Sequence, residues 1–491
     1  MPAIKAFCGP SYESIAYRAD AEQCINQYPQ VVESEGRVTD RILVGIPGLA
    51  NFASSIFAPI RAGFGQDGRS FAIVGAAFVE ISSTGVITNR GTVTNDNLPA
   101  TISSGGDAAG QLFLVAGGDG FSYNLLTNVL TAVPAAGTGL VQGGYLDGFF
   151  WTLDDTSTFH LSDLLDGTSW DPLQIAQRND ASDRWVAGMT IGKFIWLWGS
   201  ETTSVLYDSG AFPFPFTLQP GVLIARGTGA VFSVQDVDGS PVWLAQSQHG
   251  DRMIVRANGF GAPTRVSKHN VEAALNRYAT VDDAVSISYE WEGHPFWQIN
   301  FPTENDAWAV DLSSGEWFKP LFWNAGIGAY ECSRAQYHWM AFGEHLIGDR
   351  ETGTIYRLSA TTFTDAGGAP LRRLRRVPFP RLLKVSDYIN LQFVQVLADV
   401  GIGLESGQGV DPQVMMRISR DGGKTWGNEH WTTAGAMGQY LTRIMYGSGD
   451  ERGGGRLGRY RDGMGVLEIV VSDPAPFRFT GCEFGARKGA P

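Results

Sequence analysis

The residues of this 491-residue chain best placed for chemistry are Ser419, Asp421, Gly423, Thr425 and Trp426. Within Ser419-Arg-Asp-Gly-Gly-Lys-Thr-Trp426 they match the Asp-box pattern SxDxGxTW. The Asp side chain can accept hydrogen bonds from the turn's backbone N–H groups, Gly supplies the permissive φ, and Trp packs beneath. That chemistry fixes a hairpin turn and breaks no bond. A glycosidase using such turns would also need three clustered arginines, an acid/base carboxylate and a Tyr nucleophile with its own activating carboxylate. Arg and Tyr are plentiful, but no arrangement singles out such a set.

Other signatures fail on spacing. Gly423-Lys-Thr425 mimics the end of a P-loop, yet the first Gly would fall at Ile418 and the context is a hairpin. There is no HExxH and no GxSxG, and the seven histidines are scattered. His338 and His345 are close in sequence and are expected in loops, not on a metal. Cys8, Cys24, Cys332 and Cys482 form no CxxC and read as free thiols. No catalytic residue, cofactor or metal is expected.

A second cluster is cationic: Arg372, Arg373, Arg375 and Arg376. Such a group could meet DNA phosphate or an acidic subunit surface, or lie on a solvated strand. The expectation we carry forward is contact with a neighbouring subunit or adaptor. Net charge is −13, unevenly spread. Residues 1–370 carry 20 Lys/Arg against 38 Asp/Glu, whereas residues 371–491 carry 17 against 12. A net-acidic body is a poor non-specific binder of nucleic acid, and opposite signs on two segments could draw subunits together.

The elements that must position these groups are strands. In the stretch 286–319, Ile287, Tyr289 and Trp291 alternate with Ser288, Glu290 and Glu292. Gly293-His-Pro295 is read as the turn, followed by alternating runs at 297–301 and 308–312. Similar apolar hairpins occur at 71–81, 112–124, 145–161, 194–207, 242–256 and 339–358. A spacing of roughly 35–55 residues is that of propeller blades, in which neighbours cover each other's faces. Gly at 62 residues and aromatics at 12% suit many short strands and tight turns. One helix, 268–278, is expected with Ser267 as its cap.

The fold expected is mainly β. It has a propeller-like domain of about 6–7 blades over 51–368 and an antiparallel β-sandwich over 369–491. Residues 1–50 are expected to be an arm packing on a later domain, with a strand near 41–46. Beyond 370, strands are expected at 388–399, 413–419, 439–446 and 464–472. No apolar run is long enough to span a membrane, and the N-terminus has no secretion-signal pattern.

Several motifs then occur in a telling order. They are Asn26-Gln-Tyr-Pro29, Gly45-Ile-Pro-Gly-Leu49, Gly199-Ser-Glu-Thr-Thr-Ser-Val205 and Phe212-Pro-Phe-Pro-Phe216. Arg265-Val-Ser267 with Val271-Glu-Ala-Ala274, Gly293-His-Pro-Phe-Trp297 and Trp308-Ala-Val-Asp311 follow. In this order, with the Asp box and Asp473-Pro-Ala-Pro-Phe477, the chain resembles the packaged-DNA stabilisation proteins of short-tailed phages, also called tail hub or nozzle proteins. The resemblance covers nearly the whole chain. It implies a non-enzymatic virion protein, assembled in the host cytoplasm, that forms a hexameric tube below the portal and its adaptor ring. It further implies tail fibres or spikes outside, a plug or needle at the tip, and double-stranded DNA passing through without sequence specificity. A propeller glycosidase and a receptor-binding, lectin-like tail protein are the alternatives.

Overall fold

Short alternating runs closed by tight turns become antiparallel hairpins in the computed structural model. It describes residues 3–14, 21–34, 39–212, 214–247, 249–383, 387–447 and 457–489. Residues 15–20 and 35–38 of the expected arm, and Pro213 of the 212–216 motif, lie outside the described residues. Asp67-Gly68 (φ 49° and 72°), Asp147-Gly148 (49° and 98°) and Asp238-Gly239 (54° and 73°) have positive φ at both central positions. Two-residue turns of this kind match the natural twist of the strands they join. Glu292-Gly293 does the same (50° and 81°), so this turn sits earlier than expected. His294 and Pro295 open the next strand, His294–Phe301, instead of turning the chain.

One compact unit comprises residues 51–305 and 334–358. Its sheets follow in chain order. The first has strands Ile60–Gln66, Arg69–Val74, Ala77–Ile81 and Ile87–Thr92; the second has Thr101–Ser104, Gln111–Ala116, Asp119–Asn124 and Val129–Ala132. The third runs Leu140–Leu146, Phe149–Asp154, Thr158–Asp163 and Asp166–Gln177; the fourth runs Trp185–Ile191, Phe194–Gly199, Thr203–Asp208 and Phe216–Leu218. A five-stranded fifth sheet centres on Ser240–Gln246 and Arg252–Arg256. The sixth module is the hairpin Val285–Trp291 with His294–Phe301, and the seventh is built on Ala335–Ala341 and Glu344–Asp349.

Each module is clasped to the next, and the series closes. Phe78 meets Tyr123 with ring centroids 5.0 Å apart, and Phe113 meets Phe150 at 5.7 Å. Trp151 Nε1 donates to Thr190 Oγ1 at 2.9 Å, and Trp198 lies 5.9 Å from Trp243. Ser286 Oγ donates to the Ser233 carbonyl at 2.7 Å, and Asn300 Nδ2 to the Ala335 carbonyl at 2.6 Å. Finally Trp339 Nε1 of the seventh module donates to Ser70 Oγ of the first at 3.0 Å. A Cβ on Gly63 would stand 2.1 Å from the Trp339 ring, so only glycine admits that indole. Each such aromatic contributes on the order of 2–3 kcal/mol through its burial. This unit is a seven-module propeller. The innermost strands surround a cavity of about 350 Å³ whose wall includes Thr101, Ser103, Gln142 and Thr190 but no charged residue.

The other compact unit gathers residues 1–50, 306–333 and 359–491. The compact units are therefore not the three consecutive stretches expected from the chain. In one sheet, Ala21–Ile25 pairs with Arg373–Pro378, which pairs with Val466–Val471, then Gln413–Ser419 and His430–Thr433. The other orders Gln27–Val31, Arg41–Gly45, Arg478–Gly489, Tyr388–Ala398 and Ile444–Gly447, with Gly458–Arg461 also on Tyr388–Ala398. The two sheets meet face to face: Tyr446 Oη donates to the Val414 carbonyl at 2.8 Å, and Phe379 packs against Phe484 at 5.3 Å. This is the β-sandwich, and segments 21–31 and 41–45 supply strands to both its sheets.

Four further expectations are corrected. Only Ile444–Gly447 of the 439–446 run is a strand; turn bonds such as Gln439 N to the Ala436 carbonyl occupy the residues before it. The helix is His269–Leu275, entered from Lys268 without a side-chain cap. Ser267 Oγ instead bonds Glu272 and the Ile254 amide, tying the helix to a strand. His338 and His345 lie on adjacent strands, not in loops, with Nε2 and Nδ1 3.0 Å apart. The fourth correction concerns the arginines.

Candidate functional site: the arginine strand and the Asp-box turn

Strand periodicity splits the arginine cluster. Arg373 and Arg375 project to one side of Arg373–Pro378 and are buried, at 2% and 0% exposure. Neither is available to a partner, so the expectation of an exposed four-arginine surface fails for these two. Arg375 Nε donates to the Phe7 carbonyl at 2.7 Å, and Nη1 to the Pro10 and Gln23 carbonyls at 2.9 and 3.2 Å. Nη2 reaches the Ala6 carbonyl and the Glu22 carboxylate. A charge removed from water is tolerated when it is paired and its donors are used. Arg373 is the opposite case. Its Nη1 donates to the Ala475 carbonyl at 2.9 Å while its Nε finds no acceptor. Burial pushes its pKa down to about 10.

The half-buried members lean on aromatic rings. Arg372 lies 4.1 Å above the Trp323 ring. Arg376 lies 4.7 Å from the Trp426 ring, and Arg417 5.0 Å from the same ring. Both guanidiniums bind the fully buried Glu468 carboxylate, at 2.7 and 2.5 Å. The fold thus brings the arginine strand and the Asp box together through Arg376 and Trp426.

The Asp box is a satisfied turn. Asp421 Oδ1 accepts from Ser419 Oγ (2.7 Å), Lys424 N (3.0 Å) and Thr425 N (2.9 Å). Its Oδ2 accepts from Thr425 Oγ1 at 2.6 Å, and Gly423 N donates to Ser419 Oγ at 2.8 Å. Gly422 and Gly423 take φ of 81° and 94°. Hydrogen bonds from Thr425 and Ser419 hold Asp421 far below the usual carboxylate range. Trp426 does not lie beneath its own turn alone, because it is the platform for the two arginines. A general acid needs a carboxyl that keeps its proton near neutrality. Asp421 is the reverse, and the two Glu468 oxygens are taken up by Arg376 and Arg417. Among the described residues no group of three or more His, Cys, Asp or Glu could hold a metal ion.

All four cysteines are buried and free. Burial pushes Cys8 up to about 11 and Cys24 up to about 12, so both stay protonated thiols. Sequence reasoning passed over a second set of cations. Arg459 and Arg461 lie 4.4 and 5.7 Å from the Tyr388 ring and are exposed. Their signal was the alternating Gly-Arg-Tyr-Arg run at 458–461, too short to stand out.

The model of the family described as "Bacteriophage P22 Gp10, beta-propeller" matches residues 19–363. That described as "Bacteriophage P22 Gp10, beta-sandwich" matches residues 386–486. No curated protein matches the chain. Among solved structures, the N-terminal domain of Nup159 is similar at 10% identity and a TM-score of 0.40, over 69% of this chain and 98% of that one. The WD40 β-propeller domain of Doa1 is similar at 10% and 0.40, over 64% and 97%. Streptogramin B lyase is similar at 11% and 0.38, over 63% and 97%. Likenesses this distant carry no argument about function.

Proposed function

Because the chain belongs to the bacteriophage P22 Gp10 family, and so is a structural protein of a phage tail, we propose that it builds the tail hub, or nozzle. In this reading several copies, most naturally six, form a tube below the portal and its adaptor ring. The tube retains packaged DNA and channels it during ejection. The carrying observation is the pair of family matches, which fall on the propeller and the sandwich in turn.

Physical features support a scaffold. Seven clasped modules give a stiff body with few free sheet edges. The two sequence motifs that promised chemistry are consumed internally by turn and ion-pair geometry. An acidic body, at −13 overall, favours DNA that slides over DNA that sticks. Tail fibres or spikes, a tip plug or needle, and the adaptor are the partners of this reading. Assembly takes place in the host cytoplasm, where buried thiols stay reduced.

The test is a phage in which this gene product is absent. Heads should fill and then lose their DNA, and added protein should restore retention and complete the tail. Heads that keep their genome without it would remove the reading. So would purified protein that cleaves sialyl or polysaccharide substrates and ignores the portal–adaptor complex.

A further inference from the structure

Two oppositely charged surfaces lie on different units of the same chain. The basic one is on the sandwich. Gly458–Arg461 and Arg478–Gly489 both pair with Tyr388–Ala398, placing Arg461 opposite Tyr388 and both Arg459 and Arg487 opposite Asn390. Period-two alternation sets Tyr388, Arg459, Arg461 and Arg487 on the outer side, with Ile389 and Tyr460 buried on the inner. All three arginines are exposed. Arg459 and Arg461 are held over the Tyr388 ring, which orders them before any partner arrives.

The acidic surface is on the propeller. Residues 91–177 contain nine Asp and not one Lys or Arg. They form the second and third modules and the loop that enters them. Asp96 is neutralised by Arg61, and Asp154 is bonded to His160. Asp119 and Asp155 are exposed together where the second module meets the third, because Leu140 N bonds the Gly118 carbonyl and Asp155 N the Gly139 carbonyl; Asp107 and Asp147 are exposed at the opposite strand ends. Asp154, Asp166 and Asp171 bond their own turns, but turn bonding does not require that cations be absent, and self-repulsion makes a one-signed surface costly.

We propose that the Tyr388–Arg459–Arg461–Arg487 surface of one copy docks on the Asp119–Asp155 end of the second and third modules of the next copy. A cyclic ring needs two different, mutually complementary patches on each subunit, and these two are complementary in sign. The proposal rests on the reading of the chain as a ring-forming tail subunit and names the contact that would make the ring. The partner is protein and not DNA, because the chain itself carries the matching charge.

The test is a charge swap in the full chain. R459E/R461E/R487E alone, and D119K/D155K alone, should each cut assembly on the portal–adaptor complex by about a hundredfold at low salt, since like charges at a contact cost several kcal/mol. The chain carrying both sets should regain assembly, because the signs are exchanged but still opposite. Thermal melting of each variant should match wild type, since all five positions are exposed and none has a positive φ. Single-set variants that assemble normally, or a combined variant that stays defective while folded, would overturn the contact. So would arginine variants that assemble normally but lose salt-sensitive retention of duplex DNA, which would assign the surface to nucleic acid. Wild-type protein that never associates with the portal–adaptor complex would instead remove the tail-hub reading, and this contact with it.

Discussion

Arg375 and Glu22 stand 353 positions apart in the chain and form one buried ion pair. The pair fastens the N-terminal segment to the sandwich strand Arg373–Pro378. The same guanidinium also satisfies carbonyls at 6, 7, 10 and 23. A cation two residues away, Arg373, is equally buried and has one such bond.

Arg375→Met should therefore cost about 3–5 kcal/mol, because it strands a buried carboxylate and several carbonyls. Arg373→Met should lie within about 1 kcal/mol of wild type or stabilise, because it removes a buried charge that has little compensation. Urea denaturation midpoints decide between them. Equal losses at both positions would show that the hydrogen-bond inventory does not set the difference.

Glu468→Gln should lower stability by about 2–4 kcal/mol, since Arg376 and Arg417 both depend on that buried carboxylate. A double-mutant cycle between Arg376→Met and Trp426→Leu should give a coupling of about 0.5–2 kcal/mol, the range for a cation held on an indole. A coupling of zero would mean that the Asp-box tryptophan merely lies nearby.

The propeller was legible because its signal is repeated. The strand pairs at 69–81 and 111–124 announce themselves by apolar alternation around Gly-rich turns. The sandwich was less legible where strands are short or interrupted by glycine, as in Gly458–Arg461 and Arg478–Gly489. The arginines misled for a physical reason. Composition reports charge but not the face on which it falls, and a buried guanidinium reads like an exposed one. The partners that neutralise Arg375 are more than 350 positions away, so no local pattern could have revealed them. The Asp-box turn is legible locally, because its hydrogen bonds all lie within a few residues.

Gly63→Ala should destabilise the propeller by about 1–3 kcal/mol, as a methyl group there collides with the Trp339 ring at the junction of the seventh and first modules. Trp339→Leu in the same chain should recover part of the loss by vacating that space. Proteolysis of the folded protein reads the same event, with cleavage expected to begin in the first or seventh module. A G63A protein as stable as wild type would show that the junction can relax.

Acid should weaken the fold through His338. Burial pushes this imidazole from 6.5 down to about 4, and the neighbouring His345 adds to the shift. Ser288 backbone, the Tyr289 ring at 6.0 Å and His345 face it, and Glu290 acts on His345. Above pH 6.5 neither the folded nor the unfolded chain holds a proton here, and the full stability is present. As pH falls from 6.5 towards 4 the unfolded chain takes up a proton that the fold excludes. Stability should then decline by about 1.4 kcal/mol per pH unit, or on the order of 3 kcal/mol across the window. The depressed carboxylates Glu80 and Asp183 act only at lower pH, since they lie below their ordinary range. Denaturation at about pH 7 and pH 5 should therefore report the histidine pair, since burial also lowers His345. His338→Gln, which can still bond His345, should flatten the pH dependence. An unchanged slope in that variant would place the acid sensitivity elsewhere in the chain.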